Sequence, residues 1–337
     1  MSKKTTLDEI AHAAGVSVAT VDRVVNGRGG VSPKSEAKVL EWATKLNLDR
    51  IAYRKHMRTL RIAVLIPPPQ DPFFVRMRDS VLRMNAALAE AKVSSFIQHI
   101  DRADIKSIRE RIQSVATGYD GLIICAPAED AIMSAVEKIA AKMPVVTLVT
   151  DLPGTGRHAY VGPDNHKMGR LAGELMGRFL GADGGDVIAM MGLRKQQDQK
   201  HRQAGLREVL AERFAKVQIV DGFEAYDNPE RVAMQMLQAL TDHPNVRGVY
   251  NPTAGNIGVR KAIEALGIQH HIVIVTHELT PERKDLLTAG KIDAVIDQNP
   301  DLEARRALEI IANHHGRPTS LTDEAFTPFS LFLRENV

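Results

Sequence analysis

Residues 6–39 read TLDEIAHAAGVSVATVDRVVNGRGGVSPKSEAKV, and the punctuation of this stretch decides what the N-terminal module is. Thr6-Leu7-Asp8-Glu9 fits a capping box, with a Thr cap and a Glu three residues on. The helix it opens carries Leu7, Ile10, Ala11 and Ala14 on one side and stops at Gly15. Ser17 caps a second helix, Val18 to Val25, after a short turn. Ser32-Pro33 then supplies a cap and a first-turn proline for a third helix reaching about Leu46. Three short helices with a glycine turn between the first two describe a helix-turn-helix.

The second helix carries the function. Val21, Val24 and Val25 lie on one side and can pack on Ile10, Val39 and Leu46, whereas Val18, Ala19, Asp22, Arg23 and Asn26 fall on the other at helical spacing. An outward face that begins with Val18 and Ala19 gains nothing from water. It makes sense against thymine methyls, with Arg23 or Asn26 reaching base edges or phosphate. Asp22 can accept from cytosine or repel the wrong bases. The bland alternative is a small helical bundle that binds protein. Charge favours nucleic acid: residues 1–60 hold 11 Lys/Arg against 6 Asp/Glu, while the rest hold 33 against 35. A basic module ahead of a nearly neutral body is the footprint of one end meeting a polyanion.

This stretch closely resembles the headpiece of the LacI/GalR repressors. The matching elements are Thr6-Leu7, Ile10-Ala11, Ala14-Gly15-Val16-Ser17, Thr20-Val21, Arg23-Val24-Val25-Asn26 and Val31-Ser32, in order and spacing over about 45 residues. The resemblance implies base contacts by Val18, Ala19 and Arg23. It gives a DNA-facing set of Thr6, Ser17, Val18, Ala19, Thr20, Asp22, Arg23 and Asn26. Asp22 stands where the family usually has Ser, which puts the operator sequence, not the fold, in question.

Residues 49–60, DRIAYRKHMRTL, form a hinge or linker between a headpiece at 1–48 and a ligand-binding domain at 61–337. In the family this segment becomes a helix on DNA whose Leu wedges into the minor groove. Met57 stands roughly at that position, and an unbranched apolar side chain can wedge. The usual Tyr-x-Pro-Asn and Ala-Arg-x-Leu patterns are missing, so a disordered basic linker stays open as the alternative. Arg50, Arg54, Lys55 and Arg58 would then supply phosphate contacts.

From Arg61 onward, short apolar runs alternate with helical patterns. Strands are expected at Ile62–Ile66, Leu122–Cys125, Val145–Val149, Val187–Met191, Val217–Val220, Gly248–Tyr250, Ile272–Thr276 and Ala294–Asp297. Helical stretches include Phe74–Ala91, Ala131–Lys142, Lys167–Leu180, Gln203–Phe214, Glu230–Thr241 and Gly258–Leu266. Repeated βα alternation predicts α/β architecture with parallel, doubly wound sheets, in two lobes rather than one at this length. Ligands bind such sheets outside the carboxyl ends of the strands. There the chain offers Asp71, Phe73 and Phe74 after the first strand, His277-Glu278 after the seventh and Gln298 after the eighth. Aromatics stack on a sugar's C–H face, and carboxylates and amides suit hydroxyls that both donate and accept. Core packing is the bland alternative for one of the two phenylalanines, and a surface position for Glu278.

The body resembles the type I periplasmic sugar-binding fold that LacI/GalR members carry, on Asp71-Pro72-Phe73-Phe74, Gly162-Pro163-Asp164-Asn165, Arg202 with Gly205, Asp242-His243-Pro244, Leu286–Gly290 and Gln298. The resemblance implies an N-lobe of about 61–163 and 299–325, and a C-lobe of about 164–298 and 326–337. It also implies a ligand set of Asp71, Phe73, Phe74, Arg202, Tyr226, Asn251, Glu278 and Gln298. Where ribose binders have Asp-Arg after Leu148, this chain has Val149-Thr150-Asp151. The ligand is therefore expected to be other than ribose, and Arg202 with Glu278 would also accept a zwitterion or an amino or acidic sugar derivative.

Other classes fare worse. Gly181–Asp186 precedes a strand rather than following one, and neither a dinucleotide nor a P-loop fingerprint occurs. No catalytic triad is defensible, so no enzyme, catalytic residue, cofactor or metal is expected. His270-His271 and His314-His315 lack the spacing that sets two ligands on one helix face. The single Cys125 lies in an apolar run, read as a buried inert thiol of a cytoplasmic protein. The first residues hold no apolar signal core and no run is long enough for a membrane span. The reading is a repressor that binds a near-palindromic operator and is released by a small sugar, polyol or sugar derivative. Such a protein works as a homodimer; no Leu heptad follows the last expected strand, Phe329–Leu333, which favours dimer over tetramer. A solute-binding receptor without DNA affinity is the alternative.

Overall fold

The computed structural model describes residues 5–26, 28–46, 48, 58–192, 196–225, 228–317 and 326–337. Helix α1 spans Leu7–Ala14, α2 Val18–Val25 and α3 Pro33–Lys45. Thr6 and Glu9 cap α1 reciprocally, and Gly15 ends it at φ 67°, where a Cβ would be strained. Ser17 accepts from the Thr20 N–H to start α2. The three helices close over Ile10, Ala11, Ala14, Val21, Val25, Val39 and Ala43, with Leu7, Val24, Trp42 and Leu46 at the margin.

Eleven strands follow among the described residues. The first sheet contains β1 (Leu60–Ile66), β2 (Val93–His99), β3 (Gly121–Ile124), β4 (Val145–Leu148) and β5 (Ala159–Val161), in the order β2-β1-β3-β4-β5, all parallel. The second holds β6 (Gly185–Ala189), β7 (Val217–Asp221), β8 (Val246–Asn251), β9 (Val273–His277), β10 (Ala294–Asp297) and β11 (Ser330–Phe332), in the order β11-β10-β9-β8-β6-β7. Only β11 runs antiparallel, with Val295 opposite Phe332. Both sheets are covered on two faces, as their apolar strands require. Helix Pro72–Ala87 and the late helix Pro300–His314 share one face of the first sheet; Ile105–Val115 and Asp130–Ala140 cover the other. Around the second sheet, Asn165–Leu180 and Gln197–Arg213 lie on one face, and Pro229–Asp242, Asn256–Ala265 and Pro281–Thr288 on the other.

The chain therefore crosses between lobes at 162–164, crosses back at 298–299, and returns once more before β11. Helix Pro300–His314 belongs with the first lobe although its sequence follows the second. At the crossings, Thr327 donates its N–H to the Gly162 carbonyl at 3.0 Å. Arg76 on the first lobe pairs with Asp297 at the end of β10 at 2.7 Å. Two strands were not expected from sequence: β2 and β5, both at edges.

Candidate functional site

Two surfaces carry chemistry. On the head, α2 keeps Val21 and Val25 in the core and turns Ser17, Val18, Ala19 and Arg23 outward, with Val18 41% exposed. An apolar side chain so exposed at the start of a short helix is what a thymine-methyl contact needs. Thr20, Asp22 and Asn26 are half-buried. The Asp22 carboxylate takes the Asn26 amide at 2.6 Å and the Arg28 guanidinium at 2.7 Å. Arg23 donates through Nε to the Gly29 carbonyl at 3.1 Å, so its guanidinium lies along the Gly29-Gly30 turn, with Nη2 beside Gly30. Asp22 thus binds its own loop before any base. Thr6 spends its hydroxyl on the Glu9 N–H, and Thr20 its own on Ser17 at 2.8 Å. Met57, with Arg50, Arg54 and Lys55, lies outside the described residues. Arg58 pairs its guanidinium with Asp120 of the first lobe at 2.8 and 2.5 Å while its side chain stays largely exposed.

The second surface is the cleft between the sheets, with about 520 Å³ of atom-free space including its mouth. Each wall is made by residues just past strand ends, where helix N-termini and backbone N–H groups also point. From the first lobe come Asp71, Phe73 and Phe74 after β1, Arg102 after β2, Cys125 after β3 and Val149 after β4. From the second come Gln196, Asp198, Gln199 and Arg202 after β6, Thr253 after β8, Glu278 and Arg283 after β9, and Gln298 after β10. Asp71, Phe73, Phe74, Arg202, Glu278 and Gln298 were expected from sequence, and they meet here.

Their environments differ. Asp71 caps its helix by accepting from the Phe73 N–H at 2.9 Å. The Phe73 and Phe74 rings stand edge to face at 5.0 Å and join both the cleft wall and the first-lobe core, while Arg102 lies over Phe74 at 5.5 Å. Arg202 donates from Nε to Asn165 at 2.7 Å, yet its buried Nη2 has no partner. Glu278 receives the Gln298 amide at 2.6 Å through Oε1; Glu278 Oε2, Gln298 Oε1 and Asp198 Oδ1 are buried and unmet. Buried polar atoms left alone cost about 1–3 kcal/mol each, and here they converge on one cleft. They are what a polyhydroxyl or charged guest would satisfy. Burial pushes the Glu278 carboxyl up to about 8, with the Asp297 carboxylate adding and Arg202, Arg283 and Arg76 opposing. Its oxygen can therefore donate at neutral pH as well as accept. Arg283 braces the site, donating to the Glu278 and Thr253 carbonyls at 3.0 and 2.6 Å.

Asn251 is not on the cleft wall. As the last residue of β8 it is fully buried and spends its amide on Asn256 and its carbonyl on Thr253, so the loop Pro252-Thr253-Ala254 reaches the cleft instead. Tyr226 lies outside the described residues. Cys125 is buried as expected, and burial pushes its thiol up to about 12. Sequence reasoning missed Arg102, Asp198, Gln199, Thr253 and Arg283, all of which obey the strand-end rule. It also missed Glu303, wholly buried on helix Pro300–His314 with neither carboxyl oxygen partnered; burial, then Glu278, holds it well above the usual carboxylate range. Among the described residues no His/Cys/Asp/Glu group fits a metal ion and no helix is long and apolar enough to cross a membrane.

A helix-turn-helix head ahead of a two-lobed cleft defines the class: a ligand-responsive DNA-binding regulator. The family model for bacterial regulatory proteins, lacI family, matches residues 6–49, and that for the periplasmic binding protein domain matches residues 62–317. The chain belongs to the lacI-type regulators built on a periplasmic binding protein domain. It is 26% identical over 269 residues to the ribose operon repressor of Halalkalibacterium halodurans, spanning 78% of this chain and 76% of that one. It is 24% identical over 251 residues to the ribose import binding protein of Salmonella typhimurium, spanning 74% and 82%. A periplasmic solute binding protein from Actinobacillus succinogenes with bound D-allose shares the fold at TM-score 0.73 and 19% identity, over 82% of this chain and 99% of that one.

Proposed function

We propose that the chain is a cytoplasmic repressor that binds a near-palindromic operator as a homodimer and releases it when a sugar, polyol or sugar derivative fills the cleft. The observation that carries this reading is the convergence of Phe73 and Phe74 with four buried polar groups, Arg202, Glu278, Gln298 and Asp198, each holding an unmet atom. Aromatic faces beside hydrogen-bonding groups of both kinds suit a small polar ring or chain. Solute-binding relatives and a sugar operon repressor among the similar proteins support the same ligand class. Val149 and Thr150 replace the Asp-Arg fork of ribose binders, which argues for a ligand other than ribose.

In this reading Val18, Ala19 and Arg23 enter the major groove, Asp22 holds Arg28 beside them, and two heads on one dimer set the half-site spacing. Ligand bound between lobes 61–163 with 299–325 and 164–298 with 326–337 favours their closed arrangement, which moves the two heads. A coupling of about 1–3 kcal/mol would change operator affinity roughly 5- to 150-fold, and operator would change ligand affinity equally. The test is a thermal-shift screen of neutral, amino and acidic sugars and polyols, followed by titration of any stabilising compound with and without the operator selected from a random duplex pool. A compound whose affinity is the same in both states breaks the allosteric reading. A chain that selects no duplex at low salt is a receptor, not a regulator.

A further inference from the structure

Arg202 reaches the cleft because two helices touch backbone to backbone. A Cβ on Gly169 would lie 2.0 Å from the Arg202 carbonyl oxygen, and one on Gly205 would lie 2.1 Å from that of His166. No other residue type allows this approach, which sets Arg202 against Asn165, the first residue of its helix. From there a string of hydrogen bonds leaves the cleft. Arg202 Nε donates to Asn165 Oδ1 at 2.7 Å, and Asn165 Nδ2 donates to the Tyr160 hydroxyl at 3.2 Å. That hydroxyl faces the Val149 carbonyl at 3.1 Å and the Pro163 carbonyl at 3.2 Å.

The string joins the two lobes at their crossing. Arg202 and Asn165 belong to the second lobe, Tyr160 and Val149 to the first, and Pro163 to the connection itself. The Tyr160 hydroxyl lies over Gly162, where a Cβ would come within 2.2 Å of it, and its ring meets Phe326 of the returning segment at 6.3 Å. At the far end, Val149 is held at φ 66°, the left-handed region that a β-branched residue enters only when its surroundings impose it. Its N–H is fixed to the Val161 carbonyl at 2.9 Å, and its C=O by Tyr160. Val149 and Arg202 both line the cleft, on opposite walls.

We propose that Asn165 and Tyr160 are positioning residues for effector capture: they hold Arg202 with its unpartnered Nη2 toward the cleft and tie its place to the lobe crossing and to Val149. A guest that engages Arg202 thereby acts on the angle between the lobes directly, through three side chains. The inference rests on the cleft being the effector site, but its test needs neither effector nor DNA. The single cysteine is 1% exposed, so spin labels attach selectively at Lys106→Cys and Lys284→Cys, exposed positions on the two lobes. Pulsed EPR then reads the distance between lobes, and the Arg202 Nε–H signal in NMR reads whether that group is held.

Tyr160→Phe is expected to broaden the distance distribution and shift it longer, and to speed solvent exchange at the Arg202 Nε–H. Asn165→Leu is expected to do both more strongly. Tyr250→Phe removes another buried hydroxyl, 2.9 Å from His277 Nε2 within the second lobe; it should lower the melting temperature and leave both readouts at wild type. Cooperatively melting Tyr160→Phe protein with an unchanged distance distribution and a slowly exchanging Arg202 signal overturns the proposal, whether or not Asn165→Leu folds. Failure of all these proteins to bind any duplex would count against the regulator reading instead, because neither readout involves DNA.

Discussion

Head and body keep their proposed working residues in opposite places. In the head, the residues proposed to meet DNA are those the core leaves out: Val18, Ala19 and Arg23 are exposed, and the helix that carries them is fixed by Val21 and Val25 behind. In the body they are the ones the core almost closes over: Arg202, Glu278 and Gln298 are all nearly inaccessible, and what marks them is an unmet polar atom. A long DNA groove can be read from a convex surface, with water displaced at the contact. A small guest must instead be surrounded, so its contacts are made ready inside and remain unsatisfied until it comes.

The sharpest way to break this comparison is to remove the head's core. Ile10 is wholly buried among few partners, and an Ile→Ala change of this kind costs about 2–5 kcal/mol, more than a domain of ~45 residues can spare. Ile10→Ala should abolish duplex binding and the head's calorimetric transition while the body melts unchanged. If both transitions fall together, head and body are one unit and the comparison fails. Next comes Arg202→Ala, which leaves the buried polar groups facing it alone. Losing one partner of such a charged contact costs about 2–5 kcal/mol, roughly 30-fold to several thousand-fold in effector affinity by calorimetric titration, with operator binding retained. Normal effector affinity in that variant would move the site elsewhere.

Arg23→Ala should be milder, about 1–3 kcal/mol in operator affinity by gel shift, because an exposed contact is partly replaced by water and neighbouring contacts survive. Effector affinity should not move. A further prediction concerns pH. The fold holds a proton on Glu278 up to about 8, against an ordinary value of 4.5. The unfolded chain gives that proton up first, so the stability this group lends is full in acid and drains away as pH rises from the ordinary value to about 8. Glu278→Gln keeps the oxygen that takes the Gln298 amide but cannot ionise. Its melting temperature relative to wild type should rise between about pH 5 and about pH 8; a flat or falling difference would mean Glu278 is ionised in the fold.

The same contrast explains what was legible in the sequence. An exposed working face is the complement of a periodic apolar face, so α2 could be read from spacing alone. In the body, apolar runs marked most strands, but β2, VSSFIQH, is an edge strand whose apolar residues are interrupted by Ser, Gln and His on both faces, and its omission hid Arg102 just beyond it. Helix Gln197–Arg213 begins six residues before the expected Gln203. Its first turns, QDQKHR, turn toward the cleft and so carry no apolar period, which is why Asp198 and Gln199 went unnoticed. The Asn251 error is one of register. The strand runs through Asn251, which turns that side chain into the fold, and the neighbouring Thr253 takes the cleft position.

One feature of the body bears on how the protein is made. The first lobe stays incomplete until helix Pro300–His314 joins it, and the second until Ser330–Phe332 pairs along β10. During synthesis the head can fold once Lys45 has left the ribosome, some 285 residues before the sensor's final strand arrives. Chains caught in between, or clipped there, would carry a finished DNA reader and no means of being told to let go. Until β11 pairs, the fully buried apolar strand β10 is itself the edge of the second sheet, a pairing template that the finished fold covers with the short β11.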